Sequence, residues 1–408
     1  MIRAAPTDAL GRRVADLLHR RGDANAAYFA SESERIARLC HRMAERFITG
    51  GRLLAVGRGP AARSDARHVA VEFVHPVIVG KRALPALALT GDGVTLCEQL
   101  RVVARADDLV IGFGDDADVD VMEALAAART TGCLTVAFAE LGAEWELVPL
   151  DSDPFVRQEL AETCYHVLWE LVHVFFEHRG LLEGRPAAPV HDAGASSFLY
   201  PFLAEGEADL DAVLEDVRRS VVMKADEVRA LREQTLTEGC DALGGAAVAL
   251  RTAFDTGGTL LAFGNGGSAT DATDAVADFR AAPQGWPGRR AVDLTEDASI
   301  ITAVANDIGV EAIFARQVIA YGAPGDVALA LSTSGNSGNI IAALVEARRR
   351  GLVTIAMVGY DGGRVASEGL SDYLIISRSE HIPRIQEAQA SALHVLRELV
   401  EVVESSPS

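Results

Sequence analysis

Two long segments of this 408-residue chain can be laid over one another, and that internal repeat restricts its architecture more than any other feature. In the first half a helical stretch, about 24–48, runs through Gly50-Gly51 into Arg52-Leu-Leu-Ala-Val-Gly57. In the second, a helical stretch, about 208–255, runs through Gly257-Gly258 into Thr259-Leu-Leu-Ala-Phe-Gly264. Further on, Asp108-Leu-Val-Ile-Gly-Phe matches Asp326-Val-Ala-Leu-Ala-Leu, and Ala126-Ala-Ala-Arg-Thr-Thr-Gly-Cys matches Val345-Glu-Ala-Arg-Arg-Arg-Gly-Leu. Arg157-Gln158 with His166-Val-Leu-Trp-Glu-Leu-Val172 matches Arg384-Ile-Gln386 with His394-Val-Leu-Arg-Glu-Leu-Val400. Each half therefore reads as helices, then β-α-β-α-β, then a long closing helix. Short apolar strands between amphipathic helices predict an α/β fold in which each half is a parallel sheet flanked by helices. The expected domains are 1–178 and 208–408, joined by a Pro-, Gly- and Ser-rich linker over 179–207.

In the second half, two strands run into loops of small residues that open helices. Leu260-Leu-Ala-Phe leads into Gly264-Asn-Gly-Gly-Ser268, and Leu331 leads into Ser332-Thr-Ser-Gly-Asn-Ser-Gly-Asn339. Glycine lets the backbone approach an anion closely, and the N–H groups of a helix's first turn point at it. Ser268, Ser332, Thr333, Ser334 and Ser337 add hydroxyl donors without bulk. Such a cluster is often only a turn, but two at corresponding strand ends of one α/β unit point to a phosphorylated ligand. No Walker lysine follows either loop and neither is a G-x-G-x-x-G, which argues against a nucleotide cofactor.

Composition removes other classes. Hydrophobic residues make up 49% and charged ones 24%, the balance of a globular protein, and no apolar run reaches the length of a membrane span. A net charge of −20 disfavours nucleic acid and anionic membranes as partners. The N-terminus lacks the apolar core of a signal peptide, and five scattered cysteines form no C-x-x-C pair; both fit the cytoplasm.

The second half resembles bacterial phosphoheptose isomerases of the sugar-isomerase (SIS) domain superfamily. The residues that carry the resemblance are Gly264-Asn-Gly-Gly-Ser268, Ala303-Val-Ala-Asn-Asp307, Phe314-Ala-Arg-Gln317, Gly325-Asp-Val327, Ser332-Thr-Ser-Gly-Asn-Ser337, Asp361-Gly-Gly363 and Arg384-Ile-Gln-Glu387 with His394. It implies two tandem flavodoxin-like SIS domains and a homo-oligomer, here a dimer of tandem chains resembling a tetramer. It also implies conversion of a ketose phosphate to an aldose phosphate through an enediol. The substrate contacts it implies are Asn265, Gly266, Gly267, Ser268, Asn306, Asp307, Ser332, Thr333, Ser334, Asn336 and Ser337. Carbonyl migration needs a base, an acid near the oxygens and a phosphate handle. Asp278 and His394 are the candidates for base and acid, with Gln386 and Asp274 orienting the substrate or a metal. Their alternatives are a helix-surface acid for Asp278 and a structural role for His394.

The sequence departs from the family in a complementary way. The family carries H-x-x-x-E on the helix after the first loop, where the second half has Asp274 and Asp278. The first half has His68-Val-Ala-Val-Glu72 there, allowing a one-residue insertion, and Gln158 and His166 keep the spacing of Gln386 and His394. Its own loops, Gly57-Arg-Gly-Pro-Ala61 and Phe113-Gly-Asp-Asp-Ala-Asp118, have lost the hydroxyls, and Asp115, Asp116 and Asp118 would repel a phosphate. His68, Glu72, Gln158 and His166 are thus the expected ligands of one divalent metal such as zinc, with Glu72 a further candidate base. The competing expectation is an inactive scaffold domain. Either the first half lends its side chains to a phosphate held by the second, or one copy has decayed. A non-catalytic sugar-phosphate sensor or interaction scaffold is the rival to the enzyme.

Overall fold

The computed structural model describes residues 7–77, 81–91, 94–177 and 209–404. The expected linker at 179–207 lies outside these residues. The chain forms two compact units, and they do not follow its linear halves. One comprises Met1–Asp23, Asp153–Glu159 and Glu227–Ser408; the other comprises Ala24–Ser152 and Leu160–Asp226.

The N-terminal sheet consists of β1 (Leu53–Val56), β2 (Ala86–Leu89), β3 (Leu109–Gly112), β4 (Leu134–Ala137) and β5 (Trp145–Glu146) in the order β2-β1-β3-β4-β5. The helices of this half are α1 (Thr7–Ile48), α2 (Pro60–Val74), α3 (Leu96–Val103), α4 (Val119–Thr131) and α5 (Pro154–Glu177). The C-terminal half brings α6 (Leu210–Glu238), α7 (Cys240–Asp255), β6 (Leu260–Phe263), α8 (Gly267–Arg280), β7 (Ala291–Asp293), α9 (Ala298–Asp307) and α10 (Ile313–Tyr321). It continues through β8 (Val327–Ser332), α11 (Gly338–Arg349), β9 (Val353–Gly359), α12 (Gly363–Ser367), β10 (Tyr373–Ser377) and α13 (Ile382–Val402). Its five strands run β10-β9-β8-β6-β7, the same order about a different set of residues. Every pairing in both sheets is parallel. This is the doubly wound 2-1-3-4-5 arrangement of flavodoxin-like folds, twice over.

Strand periodicity explains the layering. On β6, Leu260 and Ala262 enter one apolar cluster with Val327, Leu329 and Leu331, while Leu261 and Phe263 enter another with Ala328 and Ala330. Alternate residues face opposite sides, so a sheet buried on both faces needs the unbroken apolar runs seen in the sequence.

Two boundaries differ from the sequence reading. Helix α1 begins at Thr7 instead of near 24, because Val14 and Leu17 are buried in the core around β6 and β8. The stretch expected to be helical over about 208–255 is two helices that break at Gly239, where a Cβ would stand 2.6 Å from the carbonyl oxygen of Thr235.

Candidate functional site

The serine loops follow β6 and β8, which are neighbours at the point where the strand order reverses, the usual ligand position in an open parallel sheet. A reciprocal amide pair ties the loops together. Asn265 Nδ2 donates to Asn339 Oδ1 at 3.0 Å, and Asn339 Nδ2 donates to Asn265 Oδ1 at 2.9 Å. Two glycines are sterically required here. A Cβ on Gly264 would lie 2.1 Å from the Ser268 carbonyl oxygen, and Gly335 combines φ +62° with only 2.2 Å to the Gly362 carbonyl oxygen.

Two of the loop hydroxyls accept backbone N–H groups. Ser332 Oγ accepts from Gly335 N at 3.1 Å and Ser334 Oγ accepts from Asn336 N at 3.2 Å. Each hydroxyl thus accepts one backbone N–H and keeps its own hydrogen to donate. Ser337 is the N-cap of α11 but makes no side-chain capping bond. Ser268 lies buried in the first turn of α8, and Gly266 and Gly267 open that helix without a side-chain cap. Thr333 is half-buried and Asn336 is exposed on the same loop. Asn306 and Asp307 lie at the exposed end of α9, where Asn306 Nδ2 donates to Asp307 Oδ1 at 2.7 Å.

Helices α8 and α13 bring the acid–base candidates together. Asp278 is 5% exposed and His394 3%, so Asp278 is not a surface acid. His394 Nε2 lies 3.5 Å from Asp278 Oδ2. Burial pushes the Asp278 carboxyl up to about 6, against the opposing pull of His394 and Arg397. Arg397 Nε donates to the Asp278 carbonyl oxygen at 3.0 Å, while its guanidinium lies over Trp286 at 4.9 Å and Phe279 at 5.1 Å. Gln386, one of the α13 side chains, is buried, and Asp274 is half-buried one turn before Asp278. Gln389 Nε2 reaches the Ser332 carbonyl oxygen at 3.5 Å, so α13 also touches the serine loop.

The sequence reading missed the other side of His394. Its Nδ1 lies 2.8 Å from Glu159 Oε1, and its ring stacks on Phe155 with centroids 4.3 Å apart and an 8° interplanar angle. Both residues stand on the first turns of α5, in the first half of the sequence but in the unit that holds the second sheet. A signal existed: Gln-Glu occurs at the same repeat position in both halves, as Gln158-Glu159 and Gln386-Glu387.

The other unit gathers a different set. His68 and Glu72 on α2 and His166 on α5 offer ligand atoms that all lie within 4.8 Å of one another. His68 Nε2 is 3.3 Å from His166 Nε2 and 3.9 Å from Glu72 Oε1. The hydroxyl of Tyr165 holds His68 Nδ1 at 3.0 Å, turning Nε2 towards the cluster. Burial, then the neighbouring His166, hold the His68 imidazolium well below the usual histidine range, so the ring is a neutral donor. Two nitrogens at zinc distance on a tetrahedral ion stand about 3.3–3.4 Å apart, so the three side chains fit such a metal. Gln158, the fourth expected ligand, falls in the other compact unit.

Fold and site together define a SIS-type domain, and the SIS domain family model matches residues 225–359. The phosphoheptose isomerase of Thermodesulfovibrio yellowstonii is 40% identical over 172 residues, spanning 42% of this chain and 85% of that protein. That of Aquifex aeolicus is 46% identical over 156 residues, 37% of this chain and 79% of that one. The chain belongs to the phosphoheptose isomerase family, and it is an isomerase of the sugar-phosphate type. Across nearly its whole length it shares its fold with the C-terminal domain of glucosamine-fructose-6-phosphate aminotransferase from Francisella tularensis. There the TM-score is 0.60 at 10% identity, with 97% of this chain and 96% of the other covered. Among the described residues no helix is long and apolar enough to cross a membrane.

Proposed function

We propose that the protein interconverts sedoheptulose 7-phosphate and an aldoheptose 7-phosphate through an enediol, in the unit built on the second sheet. The observation that carries this is the 3.5 Å pairing of Asp278 with His394 in the unit that also holds the serine loops. Asp278 removes the proton from C1 of the ketose and returns it to C2. A carboxyl raised to about 6 is a stronger base than an ordinary aspartate yet still ionised at neutral pH. His394 passes a proton between the two oxygens as the carbonyl migrates, while Gln386 and Asp274 orient the sugar. Ser268, Ser332, Thr333, Ser334 and Ser337 hold the phosphate with the loop N–H groups, so binding energy from the non-reacting end positions the reacting carbons. The heptulose is chosen because the relatives named above are phosphoheptose isomerases.

NMR of sedoheptulose 7-phosphate in D2O with purified protein tests the reading. Expected are an aldose product and deuterium at its C2. Turnover of hexose or pentose phosphates alone would move the substrate assignment. Tight binding of the heptulose without exchange would replace the isomerase by a sensor.

A further inference from the structure

His394 has two ring nitrogens, and Nε2 is the one that faces the base Asp278, at 3.5 Å from Oδ2. What holds the other decides whether Nε2 is usable. Glu159 is 1% exposed and its carboxylate is completely engaged. Oε1 takes Arg21 Nε at 2.9 Å and His394 Nδ1 at 2.8 Å, while Oε2 takes Ser391 Oγ at 2.5 Å and Arg21 Nε at 3.2 Å. Arg21 is held in turn by Glu398 at 3.3 Å. Burial by itself would raise the Glu159 carboxyl, but Arg21, then His394 and Arg232, hold it well below the usual carboxylate range. An ionised carboxylate only accepts, so Nδ1 must carry a hydrogen in the neutral ring. Nε2, 3.5 Å from Asp278 Oδ2, is then the ring nitrogen without a hydrogen, free to take one from a substrate hydroxyl. The stack on Phe155, at 4.3 Å and 8°, fixes the plane in which it points.

We infer that Glu159 is a positioning residue of the isomerisation, holding His394 in the Nδ1–H tautomer and in the ring plane that aims Nε2 at the reacting oxygens. This rests on the proposed isomerase reading and extends it to a residue supplied by the opposite half of the sequence. Glu159 acts on the reaction through the imidazole whose Nδ1 it holds at 2.8 Å. Arg21 and Ser391 keep it ionised and oriented, a supporting layer without which an imidazole on a helix could flip or change tautomer.

Two measurements test it. In the wild-type protein labelled with [15N]histidine, long-range 1H–15N correlation at a pH where the ring is neutral should give the Nδ1–H pattern for His394, assigned by its absence from His394→Asn protein. An Nε2–H pattern overturns the proposal. In Glu159→Gln, kcat on sedoheptulose 7-phosphate should fall by about ten- to a hundredfold with KM within about twofold, and Glu159→Asp should recover part of the loss. Unchanged kcat, or a loss confined to KM, overturns it as well. If Glu159→Gln does not fold, with Arg21 left unpaired, the wild-type spectrum alone decides. If the wild type turns over no sugar phosphate, the isomerase reading and the catalytic role of Glu159 fail together, while the tautomer still confirms or refutes that Glu159 fixes the His394 ring.

Discussion

The two sheets share strand order and loop geometry but have parted in side-chain chemistry. A Cβ on Gly57 would meet the Ala62 carbonyl oxygen at 2.3 Å, as one on Gly264 would meet that of Ser268 at 2.1 Å. The first loop is longer by the one inserted residue and otherwise makes the same turn. That equivalence sets His68 and Glu72 opposite Asp274 and Asp278. After the third strand of each sheet the same correspondence sets Asp115, Asp116 and Val119 opposite Thr333, Ser334 and Ser337. The N-terminal copy has kept imidazoles that fit a metal and replaced its phosphate donors with acids; the C-terminal copy has done the reverse. Duplication preserved the backbone, which the core dictates, and left each loop to change independently.

The largest expected effect is on turnover. Asp278→Asn should lower kcat by about a thousandfold or more, since it removes the base, while Glu72→Gln should cost no more than about tenfold. Equal losses would break the asymmetry between the two sites. The same Asp278 variant has a stability signature. A carboxyl near 6 in the fold and near 3.9 unfolded contributes stability that is complete below about pH 4 and lost as pH rises through 6, on the order of 3 kcal/mol. Asp278→Asn should therefore gain on the wild type in urea midpoint between pH 4 and 7, and a pH-independent difference would contradict the raised carboxyl.

Next comes the phosphate. Ser334→Ala with Ser337→Ala should weaken sugar-phosphate binding by a few kcal/mol, at about 1.5–3 for each charge-assisted bond. Calorimetry giving unchanged affinity would remove the one chemical advantage assigned to the C-terminal loops.

How much of this was legible beforehand follows from what periodicity can carry. The repeat and the parallel sheets are local patterns and came through, as did the placement of the serine loops after β6 and β8. The pairing of Asp278 with His394 needed only that α8 and α13 pack together. Glu159 did not come through. It lies 235 residues from its partner His394, and nothing in the spacing of α5 says that its first turns join the core of the opposite half. The early start of α1 was hidden for the same reason, its apolar face being matched by residues far along the chain.

Metal content probes the other side of the comparison. Protein purified without chelator should hold up to one zinc or similar ion per chain, and His68→Ala should lose it. Metal-free wild type with unaltered folding would make the His68, Glu72 and His166 cluster a remnant.

The smallest effect tests the backbone equivalence itself. Ala117 has φ +64°, and in the repeat it stands where Gly335 has φ +62°. For an alanine that conformation costs about 1–2 kcal/mol, whereas a glycine adopts it freely and instead gives up about 0.4–1 kcal/mol through its looser unfolded chain. Ala117→Gly should thus be neutral or stabilising by no more than about 1.6 kcal/mol. The mirror change, Gly335→Ala, meets the Gly362 carbonyl oxygen at 2.2 Å in addition to the strained φ, and should destabilise by at least about 2 kcal/mol. Urea melts should therefore show a clear loss for Gly335→Ala and none for Ala117→Gly. A clear destabilisation by Ala117→Gly would mean that the acidic loop does not keep the turn of its serine counterpart, and that the two copies differ in backbone as well as in side chains.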